Sequence, residues 1–232
     1  MSNSLSEYDR YKVVRPVIGG CEYDDNDFPI IRNTFPRDYN WGNLYACGIQ
    51  NVSKKNNNQN AIALMFLDDK RLLSFWNNPL RKIPLMLSCA AVATPDYSYY
   101  DSMNMNDIRH NVYMNRWLGV TWQNYGVSII PTIGWAGKHT YDVCLSGVEF
   151  GTPVVISTLG CQTHKKDFLD GFNEMKKRIN PSIIIVFGDM IDGMTGRFLH
   201  FKYIDSFNKK NRQQPFKGML GVFEIKEDNY GL

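Results

Sequence analysis

Side chains that can do acid–base, nucleophilic and ligand-binding chemistry follow four apolar segments of the chain. They are Thr94, Asp96, Tyr97 and Ser98, then Thr132, Trp135, Lys138 and His139, then Ser157, Thr158, Gly160, Cys161 and His164, and finally Gly188, Asp189 and Asp192. A carboxylate such as Asp96 could act as a general base, the turn at 158–160 could hold a phosphate or carboxylate, and Trp135 could stack on a ring. The competing interpretation is that these short polar residues only form turns and helix caps.

Cys161 is the candidate nucleophile. It comes just before a predicted helix that begins with two lysines, and such surroundings lower the pKa of a thiol. His164 or His139 could then serve as its base. The alternative is a half-buried cysteine that only closes a turn.

No metal site is predicted, and the cofactor stays unknown. The four histidines and five cysteines are scattered, without the H-x-H, H-x-x-x-H or C-x-x-C spacings that bring metal ligands together. A site assembled in space from Asp96, His139 and Asp189 is conceivable, although no spacing supports it. The sequence also lacks the phosphate-binding G-x-x-x-x-G-K-[ST] loop, a G-x-G-x-x-G after a strand, and the nucleophile elbow G-x-S-x-G.

The elements that must position these residues alternate between strand and helix. Apolar, β-branched segments at 90–93, 127–133, 154–158 and 182–187 predict strands, with helices at 107–123, 139–145 and 164–179 between them. This rhythm predicts an α/β fold, in which parallel βα units form an open sheet or a partial barrel. Because ligands bind at the carboxyl ends of parallel strands, the polar residues above are expected to share one edge of the sheet.

Composition sets the outline of the molecule. The chain has 232 residues, of which 44% are hydrophobic and 21% charged, with a net charge of +3, as is ordinary for a globular protein. We predict an irregular N-terminal arm at 1–60, a βα core at 61–196 and a basic, aromatic C-terminal flank at 197–232 packed on the core. The apolar runs are too short to cross a membrane. Five cysteines without pair spacing favour a reducing compartment.

The C-terminal flank carries the most concentrated positive charge in the chain. The nucleic-acid candidates in it are Arg197, Lys202, Lys209, Lys210 and Arg212. Phenylalanines and a tyrosine are interleaved with them, and cations with stacking rings are what single-stranded nucleic acid requires. The interpretation we favour is that the aromatic side chains pack on the sheet while the cations stay in water.

Five short blocks occur in order between about residues 65 and 190. They are Trp-Asn-Asn-Pro at 76–79, Thr-Pro-Asp-Tyr-Ser at 94–98, Asn115 and Arg116 with Gly119, Trp122 and Gln123, Pro131 with Trp135, Tyr141 and Gly147, and Ser-Thr-Leu-Gly-Cys at 157–161. This set resembles an uncharacterised family, domain-of-unknown-function family 4417, found in phages, plasmids and integrated elements of bacteria. The resemblance implies a phage or mobile-element protein acting in a bacterial cytoplasm. It marks Arg116 and most of the residues that follow the strands, but it brings no established activity.

These observations predict a ligand site at the carboxyl ends of the strands, for a nucleotide or nucleic acid. The catalytic candidates are Asp96 and Cys161, and the ligand-binding candidates are Thr94, Ser98, Arg116, Trp135, Ser157, Thr158 and Gly160. Whether the protein is an enzyme stays open. The alternative is a non-enzymatic protein that binds a host protein and so blocks or redirects a host machine in defence or replication, through the N-terminal arm or the basic flank.

Overall fold

The structure, a computed structural model, describes residues 15–202 and the backbone of two strands at 216–217 and 219–223. The strands are β1 Tyr45–Gly48, β2 Ala61–Leu64, β3 Ala91–Ala93, β4 Ile129–Ile130, β5 Val154–Ser157, β6 Ile184–Phe187, β7 Gly196–Phe201, β8 Phe216–Lys217 and β9 Met219–Phe223. The α-helices are α1 Asp69–Asn77, α2 Ile83–Met86, α3 Met105–Asn124, α4 Tyr141–Cys144 and α5 Lys165–Ile179. Within this part of the chain, no helix is both long and apolar enough to cross a membrane.

The seven strands from β1 to β7 are parallel and neighbour one another in sequence order. Four form one sheet and three form another, and the end of β4 joins them because Ile133 N donates to Val155 O over 2.8 Å. Strand β8 lies antiparallel on β1, and β9 lies antiparallel on β7. Because one residue separates β8 from β9, a single segment pairs with both outer strands and closes the sheets into a barrel. The predicted α/β class is confirmed, and its parallel strands form a barrel rather than an open sheet.

Alternate residues of each strand fill the barrel interior, as the two-residue period of a strand requires. Small side chains on β1 and β3 share this interior with large ones on β6 and β7. The interior residues include Ala46, Ile62, Leu64, Ala91, Ala93, Ile130, Val155, Ile185, Phe187, Leu199 and Phe201. Across the carboxyl end of the barrel, the rings of Phe66 and Phe187 stack with centroids 4.8 Å apart. This pair closes the interior beneath the strand ends.

Helix α5 shows how sequence pattern becomes packing. Phe168, Phe172, Met175 and Ile179 lie on one face and are buried against the outer side of β5 and β6, as their spacing predicts. Lysine and arginine side chains occupy the last turn, where they complement the negative end of the helix dipole. The helix ends where Asn180 adopts a left-handed conformation, with φ of 46°.

The N-terminal segment is part of the barrel as well as a covering for it. Most of residues 15–44 are irregular, yet Ile31 is fully buried and forms a parallel bridge with Val148. Strand β1 lies inside the predicted arm, so the barrel begins before residue 61. Its sequence, Tyr-Ala-Cys-Gly, has small side chains and a glycine in place of the β-branched residues that mark a strand.

Strand β7 occupies the start of the predicted basic flank. Phe198 and Phe201 are fully buried in the barrel wall, so neither ring is available for stacking on a base. Arg197 and Lys202 are exposed beside them. The remaining nucleic-acid candidates, Lys209, Lys210 and Arg212, lie outside the described residues.

Candidate functional site

Two adjoining clefts open at the carboxyl ends of the barrel strands. The larger cleft has a volume of about 810 Å³ and reaches the N-terminus of α5, and the smaller cleft, about 420 Å³, lies over the Phe66–Phe187 pair. Residues that line both clefts form a shared wall of Tyr99, Tyr100, Ile133, Gly134, Trp135, Ser157 and Leu159. The position agrees with the expectation for parallel βα folds, in which loops after the strands build the site.

Trp135 is the largest ring of the shared wall, and its position is fixed by α5. The indole lies 5.3 Å from the Phe168 ring, between centroids, at an interplanar angle of 39°. A Cβ atom on Gly171 would lie 2.2 Å from the indole nitrogen, so the ring can approach the helix only because residue 171 has no side chain. Trp135 is partly exposed, as the predicted stacking role requires.

Asp96 lines the smaller cleft and is close to a second carboxylate. Burial raises the pKa of Asp96 to about 7, with a further contribution from Asp69 at the start of α1. Asp69 is in turn held by Ser98, whose backbone N–H and hydroxyl lie 3.2 and 3.3 Å from the same carboxylate oxygen. A carboxyl group that titrates near neutral pH can both accept and give a proton, which is the property a general acid or base needs.

Replacing Asp96 with asparagine is expected to stabilise the protein by about 2 kcal/mol at pH 8 and to have little effect near pH 4. An aspartate in the unfolded chain has a pKa of about 3.9, so between this value and about 7 the folded state holds the proton more tightly. Stability therefore falls as the pH rises through this window, and Asp96→Asn removes that loss. Urea unfolding at pH 4, 6 and 8 measures this difference in stability, with the exposed Asp192→Asn as control. If the free energy of unfolding of wild type and of Asp96→Asn changed in parallel with pH, the raised pKa of Asp96 would be contradicted.

Cys161 lines the larger cleft with Gly160, but its surroundings differ from those expected. Helix α5 begins at Lys165, four residues later, and the intervening residues form a turn in which His164 N donates to Cys161 O. Burial, and secondarily the charge of Asp96, raises the pKa of the thiol instead of lowering it. The predicted activation of the thiol is therefore not found. Its nucleophilic role stays a prediction, and the turn-closing alternative describes the observed geometry.

Thr94 and Arg116 lie beneath the clefts instead of lining them. The Thr94 hydroxyl donates to Asn115 Oδ1 over 3.0 Å and accepts from Thr132 N over 2.8 Å, with no exposure to solvent. The Arg116 guanidinium is 1% exposed and donates to three backbone carbonyls and to Asn115. Burial lowers the pKa of this group. Both side chains position the strand ends from below.

Of the remaining predicted residues, Ser157 belongs to the shared wall and Thr158 lies beneath it. Ser157 lines both clefts, and its Oγ accepts from Leu159 N over 3.2 Å. The neighbouring Thr158 is 1% exposed, and its hydroxyl has no hydrogen-bond partner in the described part of the chain. It faces Gly188, where a Cβ atom would lie 2.4 Å from the hydroxyl oxygen.

Several residues of the site were not predicted. Tyr99, Tyr100 and Asp101 directly follow the Thr-Pro-Asp-Tyr-Ser block, so that segment already contained a signal for them. Asp167 and Asp170 of α5 also line the larger cleft, where Lys138 pairs with Asp170 over 3.1 Å. Their positions on a charged helix gave no sign of this. In residues 15–202, no three His, Cys, Asp or Glu side chains are grouped closely enough to hold a metal ion.

Two curated phage proteins are similar to about half of this chain. A "Gene 1 protein" of Mycobacterium phage D29 is 36% identical over 126 residues, which are 53% of this chain and 47% of that protein. A "Gene 1 protein" of Mycobacterium phage L5 is 35% identical over 128 residues, which are 54% of this chain and 56% of that protein. The chain thus spans about half the length of these curated relatives. No solved structure shows significant similarity.

The family described as "Domain of unknown function (DUF4417)" matches residues 41–205, most of the chain. The match includes all five sequence blocks and all nine catalytic and ligand-binding candidates. Six of the nine line the two clefts, while Thr94, Arg116 and Thr158 are buried beneath them. The resemblance found in the sequence is thereby confirmed, and this protein belongs to the DUF4417 family.

Proposed function

We propose that this protein is a phage or mobile-element protein that binds a nucleotide or a single-stranded nucleic acid at the mouth of its barrel. The observation that carries the proposal is the shared wall of the two clefts, in which Trp135 is fixed against α5 and lines the same cleft as Asp96. The phage origin of the curated relatives supports the first half of the statement.

The chemistry of the wall suits a planar heterocycle. The faces of Trp, Tyr and Phe rings stack on bases with little sequence preference, at about 1–3 kcal/mol per base. The larger cleft, about 810 Å³, lies in the range of cavities that hold small ligands. Ser157 and Asp96 add the few polar groups that orient a ligand in such a cavity.

A second candidate function is binding of a host protein without catalysis. It is favoured by Phe150, which is 66% exposed beside a groove of about 630 Å³. The groove lies between the N-terminal segment, including Asp24 and Arg32, and the residues that follow α4.

Intrinsic fluorescence offers a selective test of the proposed site. Trp135 is partly exposed, whereas Trp41, Trp76, Trp117 and Trp122 are at most 8% exposed. A deoxynucleoside monophosphate or a short single-stranded oligonucleotide is therefore expected to quench the signal of Trp135, and Trp135→Phe to remove that response. Trp135→Ala is expected to weaken binding at least ~10-fold.

The controls separate the site from the rest of the surface. Tyr125, 43% exposed just after α3, is at the opposite end of the barrel from Tyr100, so Tyr125→Ala should leave binding unchanged. Gly171→Ala should weaken binding without touching the ligand, because the new methyl group displaces the indole. If quenching is absent and Phe150→Asp abolishes the biological activity, host-protein binding replaces the proposal.

A further inference from the structure

We infer that the mouth of the barrel takes two successive bases of a nucleic-acid strand, one in each cleft, and that it favours bases over clustered phosphates. The inference rests on the proposed function and names the ligand class of that same site. It is carried by the extent of the mouth, in which two clefts adjoin along one shared wall, by the exposed side chains of that wall and by the charges around it.

Each cleft is lined by aromatic rings that the other lacks. The partly exposed Phe66, stacked on the buried Phe187 at 4.8 Å, lines the smaller cleft only. Phe168 and Tyr141, which are 6% and 8% exposed, line the larger cleft only and offer it their ring edges. A compact ligand with one ring would use only one of these surfaces, whereas two linked rings would use both.

Two residues of the shared wall, Tyr100 and Leu159, are both exposed and largely apolar. Tyr100 is 62% exposed and Leu159 is 43% exposed, and both line the two clefts. Both side chains are therefore accessible to a ligand that spans the two clefts. A phosphodiester-linked pair of nucleosides must span the shared wall in this way to place one base in each cleft.

The charges at the mouth favour base edges over phosphate groups. Asp101, Asp167 and Asp170 line the mouth with a single lysine, Lys138, and Asp96 adds a further negative charge when it is ionised. Lys138 is already paired with Asp170, and Asp101 lies 3.8 Å from His139. Excess carboxylate repels a triphosphate, whereas a carboxylate oxygen accepts a hydrogen bond from the exocyclic amino group of cytosine. A ligand with two bases and one phosphate therefore fits better than one with one base and three phosphates.

Equilibrium binding to the full chain tests the inference with three probes. They are deoxycytidine, its 5′-triphosphate, and the dinucleoside monophosphate in which one phosphodiester joins two deoxycytidines. We expect the dinucleoside monophosphate to bind at least ~10-fold more tightly than deoxycytidine, and the triphosphate to bind most weakly.

Variants confined to one cleft sharpen the test. Asp96→Asn changes only the smaller cleft and Asp167→Asn only the larger, and Asp192→Asn is the matched exposed control. Both cleft variants should weaken binding of the dinucleoside monophosphate several-fold, while at most one of them should change the affinity for deoxycytidine. If deoxycytidine binds as tightly as the dinucleoside, or the triphosphate binds most tightly, the inference is overturned and the proposed function stands. If none of the probes nor an oligonucleotide binds the folded protein, both fall.

Discussion

Replacing Arg116 with alanine is expected to lower the free energy of unfolding by about 3–5 kcal/mol. The guanidinium donates to Ser146 O and Cys144 O, each over 2.8 Å, and to Thr132 O over 3.4 Å. It also lies 2.5 Å from Asn115 Oδ1. Alanine would leave the carbonyls of Cys144 and Ser146 without these donors, whereas Asn115 Oδ1 would keep the Thr94 hydroxyl and Thr132 O would keep Asn115 Nδ2.

This expectation separates a structural role from a ligand-binding role at Arg116, which the sequence marked as a ligand-binding candidate. Arg116→Lys should recover little of the lost stability, because one ammonium group cannot donate hydrogen bonds to all the carbonyls that the planar guanidinium reaches at once. Urea unfolding measures the effect, with Arg109→Ala, an exposed arginine of the same helix, as control. An Arg116→Ala protein that unfolds within 1 kcal/mol of wild type but loses ligand affinity would refute the structural role and restore the predicted one.

Gly188→Ala is expected to cost about 2–4 kcal/mol of stability. Gly188 follows β6 with φ of 114°, a conformation that disfavours any side chain, and its Cβ atom would lie 2.4 Å from Thr158 Oγ1. The residue is also held on both sides, because its N–H donates to Phe201 O and its carbonyl lies 2.7 Å from His200 Nε2. The backbone therefore cannot move aside.

Two comparisons divide this cost into its parts. Gly160 also has a positive φ, 76°, but nothing lies within 4 Å of its Cβ position, so Gly160→Ala measures backbone strain alone. Combining Gly188→Ala with Thr158→Ala should recover about 1–2 kcal/mol, because the hydroxyl that clashes is gone. Thr158→Ala alone should cost about 1 kcal/mol or less, since the buried hydroxyl makes no hydrogen bond with the described residues. Equal stabilities of the single Gly188 variant and the double variant would show that no clash exists.

The sequence predicts those elements whose residues repeat a pattern. Helix α5 and strand β6 are found where an apolar stripe and a β-branched run predict them. Strand β1 was not predicted because alanine, cysteine and glycine give no strand signal, and its pairing with β2 supplies what its own residues lack. Strand β7 was not recognised because Arg197 and His200 interrupt its apolar residues, so that its sequence resembles a basic surface segment, although His200 is buried.

The candidate site shows a similar limit. Sequence indicates which residues follow a strand, but not which of two neighbours faces the cleft, because successive side chains point to opposite sides. Ser157 lines the clefts, while Thr158 is buried beneath them. Arg116 is on a helix that is buried on most sides. A charged residue in such a helix suggests a functional site from the sequence alone, whereas in the structure Arg116 donates hydrogen bonds to buried carbonyls.

The closure of the barrel has a consequence for how the chain reaches its fold. Tyr45 of β1 pairs with Lys217 of β8, about 170 residues later in sequence. Pairing between such distant residues has an entropic cost of loop closure and slows folding. The edge of β1 therefore stays unpaired while the βα units form. On the ribosome, strands β1 to β7 would emerge before their closing strand is available. Until then the exposed edges of β1 and β7 are sites where another copy of the chain can pair, and rapid synthesis at high expression favours aggregation over closure.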